Sequence, residues 1–395
     1  MIYLDNAATT KPAQEVVDAI IPYITDKWYN PSALYISAKS VHDDIEQSRK
    51  NIAKFIGAGS DEIYFTSGAT ESNNWVIRGF MDYCVMHGIT PIIMTSNIEH
   101  KSIEFIVNAM IDMYGSNRIF IIPVDENGFI DIDYLETKLQ QVQSPYKKYQ
   151  ILVSIQYANS EIGTIQCIDT ISKLVHEYGG IFHTDATQAF GHVHINVELK
   201  GIDLLSASAQ KCGGLKGTGI LYKSKICKCI LPLMYGSQEN GERGGTENVI
   251  GIIAMSKAID CCDFDFDRTS NLIKMRTYFE QQLTKKFNCK INGCYYDDDD
   301  SNVIHRLPNN INVTFPQNIT GEALIYMLDI DGVMIASGSA CNSKTNEPSK
   351  VLQAIGLTNN EILRTVRITL SDDTTKEQID TVIDKIDRAI KILTN

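Results

Sequence analysis

Apolar residues recur in short blocks along the first two thirds of the chain, separated by stretches whose apolar positions fall three and four apart. Compact apolar runs bounded by turn residues suit buried strands, and the wider spacing suits helices with one buried face. The pattern predicts strands over 62–66, 91–96, 119–124, 151–157, 181–185, 203–207 and 218–223, with helices over 40–56, 71–87, 100–113 and 168–178 between them. Such alternation makes a wound α/β sheet. After about residue 255 the rhythm changes to a helix, shorter runs such as Asn310-Ile311-Asn312-Val313-Thr314-Phe315, and an amphipathic terminal helix from about Thr375. That change predicts a second, smaller domain, with Asp297–Asp300 as a solvated loop.

Three polar clusters follow predicted strands, where open sheets of this kind place their ligands. Lys211 stands in Ser206-Ala207-Ser208-Ala209-Gln210-Lys211-Cys212-Gly213-Gly214. A lysine at a strand end among hydroxyls and glycines suits a Schiff base, although most single lysines are solvated surface charges. Asp185 ends the apolar run Ile181-Phe182-His183-Thr184-Asp185 with no lysine or arginine beside it. Pyridoxal phosphate needs such a carboxylate opposite its ring nitrogen. Phe65-Thr66-Ser67-Gly68-Ala69-Thr70-Glu71-Ser72 closes a strand and opens a helix with small residues, leaving N–H groups and hydroxyls for a phosphate.

With Tyr3-Leu4-Asp5-Asn6-Ala7-Ala8-Thr9-Thr10, Asn159-Ser160-Glu161-Ile162-Gly163, Arg243-Gly244-Gly245-Thr246 and Ala336-Ser337-Gly338-Ser339-Ala340-Cys341, these motifs span nearly the whole chain. Together they resemble the cysteine desulfurases, pyridoxal-phosphate enzymes of the class V aminotransferase group. The last motif separates desulfurases from ordinary aminotransferases. The resemblance implies a fold type I enzyme, with a mostly parallel seven-stranded sheet in a large domain over 16–255 and a smaller α+β domain from 1–15 and 256–395 that carries the cysteine loop.

It also assigns roles. Lys211 would carry the cofactor, His100 would stack on its ring and move protons, and Asp185 would pair with its ring nitrogen. Gln188 and Asn159 would lie at the ring oxygen, with Asn159 also near the substrate carboxylate. Ala69, Thr70, Ser208 and Gln210 would line the cofactor site, and Thr246 would reach the phosphate of a partner subunit in a homodimer. Arg367, a charge in the hydrophobic run Val366-Arg367-Ile368, is costly to bury unpaired, and a grip on the substrate α-carboxylate would justify it. Cys341 would attack the sulfur of L-cysteine, release L-alanine and hold a persulfide for an acceptor protein. Four positions depart from the family pattern. Gln210 and Tyr35 stand where histidines are common, Leu215 replaces a proline, and Asn240 stands where some members have an arginine. Weaker phosphate binding is expected.

Two other activities share Lys211, Asp185 and His100: a selenocysteine lyase, and a class V aminotransferase, which would not need Cys341. A sulfur-handling scaffold without catalysis is the non-enzymatic alternative. Members serving a general iron–sulfur scaffold commonly have a docking tail, and this chain stops at Lys391-Ile392-Leu393-Thr394-Asn395, so a dedicated acceptor is expected.

Composition narrows the setting. Of 395 residues, 44% are hydrophobic, enough for a large core, and 48 acids against 36 bases give a net charge of −12. That balance argues against a general nucleic-acid or anionic-membrane surface. The N-terminus lacks a leader pattern and no apolar run approaches about 18 residues, so the expectation is a cytoplasmic protein. The ten cysteines are scattered without a disulfide framework, and neither Cys227-Lys228-Cys229 nor Cys261-Cys262 has zinc-site spacing.

Overall fold

The computed structural model describes residues 1–143, 148–262, 266–294, 305–316, 318–337 and 348–394. Cys341 and Asp297–Asp300 lie outside them. In chain order the first elements are β1 (Ile2–Tyr3), α1 (Gln14–Thr25), α2 (Ile36–Ile56), β2 (Ile63–Thr66), α3 (Ala69–Met86), β3 (Thr90–Ser96), α4 (Lys101–Tyr114), β4 (Ile119–Ile122) and α5 (Ile132–Val142). There follow β5 (Tyr149–Ser154), α6 (Ile168–Glu177), β6 (Ile181–Asp185), β7 (Leu204–Ser208), β8 (Gly219–Lys223) and α7 (Val249–Asp260).

Among the described residues, seven of these strands form one sheet in the order β2-β8-β7-β6-β5-β3-β4. Only β8 runs against its neighbours. Helices cover both faces, so the strands are continuously apolar instead of alternating. In β5, Ile151 and Val153 join the cluster containing Ile171 and Val175 of α6. Leu152 between them joins Trp75 and Phe80 of α3 on the other face. The spacing Ile168, Ile171, Ser172, Val175 gives α6 a single buried stripe.

The remaining elements are α8 (Phe266–Phe287), β9 (Lys290–Ile291), β10 (Asn310–Thr314), α9 (Gly321–Ile330), β11 (Val333–Met334), β12 (Ala336–Ser337), α10 (Lys350–Ala354), α11 (Asn359–Leu363), β13 (Thr365–Thr369) and α12 (Lys376–Thr394). An antiparallel sheet, β12-β13-β10-β9, packs Ile311, Val313, Val366 and Ile368 into a separate apolar cluster with Phe279 of α8 and Ile383 and Ile386 of α12. Leu4 belongs to the same cluster, and β1 pairs with β11. The N-terminal segment then leaves β13 and crosses to the turn after β7, where Thr10 N–H donates to the Gln210 carbonyl. It joins the two cores at the place where the polar motifs collect.

Candidate active site

The C-terminal ends of β2, β6 and β7 open on a cavity of about 370 Å³. On one side the turn Ser67–Thr70 leads into the 18 residues of α3, whose N-terminal dipole favours an anion. Gly68 turns there at φ 147, a conformation that favours glycine. A Cβ on Gly219 of β8 would stand 2.6 Å from the Gly68 Cα, so that glycine lets the two backbones meet. Ser208, whose hydroxyl donates to Gln210 Oε1 at 2.7 Å, faces the same turn. Glu71 in the first turn of α3 is paired with Arg243 at 2.8 Å.

Asp185 lies across the cavity at the end of β6, 6% exposed. Its Oδ2 accepts from Asn73 Nδ2 at 2.7 Å, and its Oδ1 accepts from the Thr187 N–H at 3.0 Å and from the Thr187 hydroxyl. All these donors are neutral, so they orient the carboxylate without adding an opposing charge. Two residues earlier, His183 lies between the hydroxyls of Ser154 and Ser206 at 2.8 and 3.0 Å. Burial pushes its imidazole down to about 4 although Asp185 pulls it up, so the ring is neutral at physiological pH.

Lys211 Nζ, in the same cavity, donates to the carbonyls of Ala7 and Ala8, each at 2.7 Å. Gln188 Nε2 donates to the Ala7 carbonyl at 3.1 Å. His100 also lines the cavity, at the start of α4, where its Nδ1 accepts from the Ser102 N–H at 3.1 Å. Beside it, Glu99 Oε1 accepts from the Ser96 hydroxyl and the Gln156 N–H, while Oε2 is buried without a partner among the described residues. Burial, reinforced by Asp185, pushes the Glu99 carboxyl up to about 8 against the pull of Ser96, Gln156 and His100.

Arg367 on β13, 4% exposed, reaches the cavity. Its buried charge is paired within the protein: Nη2 meets Asp5 Oδ1 at 2.7 Å and Nη1 donates to the Ser160 carbonyl at 3.0 Å. Its Nε is buried without a hydrogen-bond partner among the described residues. The loop before it is fastened by Asn159, whose Oδ1 accepts from the N–H groups of Glu161 and Ile162 while Nδ2 donates to the Ile98 carbonyl. Asn159 therefore supports the wall and is not among the lining residues. Burial pushes the Glu161 carboxyl up to about 7, and it accepts from the Ser349 hydroxyl. Ala336 is in register with Arg367, so the described residues on either side of 338–347 are both fastened beside this wall.

Ala69, Thr70, His100, Asp185, Gln188, Ser208, Gln210, Lys211 and Arg367 thus share one cavity. Thr246 is exposed and outside it. Tyr35 and Asn240 are also outside, Asn240 in a left-handed conformation at φ 57 beside a second cavity. Leu215 packs against the large core. Among the described residues no cluster of histidine, cysteine and acid side chains suits a metal ion.

Aminotransferase class V, as a family profile, matches residues 2–382. Cysteine desulfurase IscS of Dictyoglomus turgidum is 42% identical over 99% of this chain and 95% of its own length. The chain belongs to the class V aminotransferases, among the cysteine desulfurases. Cysteine desulfurase IscS of Methanosarcina thermophila is 39% identical over 100% of this chain and 93% of its own. A solved NifS-like protein superposes with a TM-score of 0.87 at 29% identity, covering 99% of this chain and 100% of the other. That agreement extends to the mostly parallel seven-stranded sheet of this desulfurase.

The residues fit the family's cofactor, pyridoxal phosphate. The glycine turn at the head of α3 suits the phosphate, the acceptor-only carboxylate of Asp185 suits a protonated ring nitrogen, and the Lys211 amine lines the same cavity.

Proposed function

We propose that the protein takes sulfur from L-cysteine, leaves L-alanine, and holds the sulfur as a persulfide on Cys341 for an acceptor protein. Lys211 binds pyridoxal phosphate through Nζ, Asp185 holds its ring nitrogen, and Gln188 serves the ring oxygen with Asn159 supporting that wall. Ala69, Thr70, Ser208 and Gln210 serve the phosphate. When bound, the cofactor supplies an electron sink that makes the substrate Cα proton removable and its sulfur open to nucleophilic attack. Arg367 receives the substrate α-carboxylate, and its buried Nε, which has no partner among the described residues, supports that role. Lys211 would also move the substrate Cα proton. The Cys341 thiolate accepts the sulfur, because a thiolate is the strong nucleophile this transfer requires.

The observation that carries most weight is the meeting of Lys211 and Asp185 in one cavity with His100 and Arg367. The division into 16–255 and 1–15 with 256–395 belongs to this reading and is supported by the separate apolar clusters. So does a cytoplasmic homodimer in which Thr246 reaches the partner's phosphate. No described helix is long and apolar enough to cross a membrane, and Trp28, Leu34, Ile36 and Tyr235 are exposed. Incubation with L-cysteine under a thiol reductant tests the activity. Sulfide and alanine should appear in equal amounts, and an amino-group transfer without sulfide would refute it.

A further inference from the structure

A chain of hydrogen bonds joins the cavity carboxylate to the cavity histidine beneath the surface. Asn73, fully buried on α3, donates from Nδ2 both to Asp185 Oδ2 at 2.7 Å and to Ser102 Oγ at 2.8 Å. Ser102 Oγ in turn lies 2.8 Å from His100 Nδ1, which also accepts from the Ser102 N–H at 3.1 Å. The direction of each bond follows from Asp185. A carboxylate only accepts, so the Asn73 amide must turn its NH₂ towards it; turned the other way, Oδ1 would face the carboxylate. The same NH₂ gives its second hydrogen to Ser102 Oγ, which is thereby an acceptor on that side. Its own hydroxyl hydrogen is left for His100 Nδ1.

We infer that Asn73 and Ser102 are positioning residues that lock His100 as a neutral imidazole with its proton on Nε2. Nδ1 receives two donors, so it holds a lone pair and no hydrogen. Protonating it would set an N–H against the Ser102 N–H, turn the Ser102 hydroxyl away, and place a cation at the N-terminus of the 14-residue helix α4. Among the described residues, the charged groups around the ring include Glu99 and Lys101 in its own segment, Glu161 beyond the wall, and Asp185, Lys211 and Arg367 lining the same cavity. They carry both signs, whereas the two Nδ1 donors act in one direction.

The inference rests on the proposed function and sharpens it. Locked this way, His100 offers the cavity a hydrogen-bond donor at Nε2 and no proton acceptor at that atom. Removing the proton from bound cysteine falls to Lys211.

Nitrogen-15 NMR of histidine-labelled holoenzyme tests the lock, with His100→Gln used to assign the resonance. The wild type should show the Nε2–H tautomer at neutral pH. In Ser102→Ala the hydroxyl donor is lost, and the midpoint of His100 protonation should rise by roughly one pH unit, the worth of one neutral hydrogen bond, with a mixture of tautomers. Ser102→Thr restores the hydroxyl and should restore both. An Nδ1–H or charged ring in the wild type at neutral pH, or an unchanged titration in Ser102→Ala, overturns the lock. The tautomer can also be read in protein stripped of cofactor, so absence of sulfide and alanine formation would defeat the functional reading while the lock is still decided separately.

Discussion

Arg367 Nη2 and Asp5 Oδ1 lie 2.7 Å apart, tying β13 to the N-terminal segment. Two and three residues beyond Asp5, the carbonyls of Ala7 and Ala8 receive the Lys211 amine. One short segment therefore orients both the cation proposed for the substrate carboxylate and the amine proposed for the cofactor. A buried guanidinium held at Nη2 and Nη1 keeps its Nε edge fixed, which is what a bidentate grip requires.

Asp5→Asn removes the charge and keeps the shape. Arg367 should then hold cysteine less well, raising KM about tenfold, close to 1.4 kcal/mol, with a smaller change in kcat. Steady-state alanine formation measures both. A fall in kcat at constant KM would show that Asp5 does not act through substrate binding.

The elements most legible in the sequence were those buried on both faces. The run 181–185 needed no correction, since its apolar block ends where Asp185 turns into the cavity. Strand 151–157 is shorter as a regular strand, ending at Ser154, although Ile155 and Tyr157 still donate to the carbonyls of His183 and Asp185. Helices α1 and α5 were not expected. Val16 is the one buried residue of α1, which also contains Pro22, and α5 buries only Leu135 and Leu139, so little of either helix is committed to the core. Within the site, motifs pointed to Lys211, Asp185 and Arg367. They did not reveal Asp5 beside Arg367, 362 residues away, or Asn73 between Ser102 and Asp185, because such pairs exist only after folding. Glu99 followed the same rule: an acid beside a histidine in sequence reads as a solvated charge until its burial is known.

Glu99 gives a prediction in pH. Its carboxyl is pushed up from 4.5 to about 8, so in that window the folded protein keeps a proton that the unfolded chain releases. Its contribution is complete below 4.5 and is lost as pH rises towards 8. Glu99→Gln stays neutral throughout and should be more stable than wild type at pH 8, by an amount on the order of a few kcal/mol, with little gain at pH 4.5. Denaturant melts at the two pH values measure it. An equal effect at both would exclude a titrating Glu99.

Lys211→Ala should fold, because the Ala7 and Ala8 carbonyls keep the Gln188 amide and the Thr9 hydroxyl as donors. It should lack the absorbance of cofactor bound through an imine. A borohydride-reducible lysine adduct at full occupancy in this variant would reassign the cofactor lysine.

Sulfur transfer through Cys341 is the central claim, and Cys341→Ser tests it most directly. The substitution nearly preserves volume but replaces an ionisable thiol with a hydroxyl that does not ionise near neutrality. With sulfur-labelled L-cysteine, the wild type should gain one reductant-labile sulfur on Cys341. The variant should gain none and release no sulfide above background, while its cofactor absorbance still changes when cysteine is added. Sulfide and alanine released by Cys341→Ser at the wild-type rate would contradict the account.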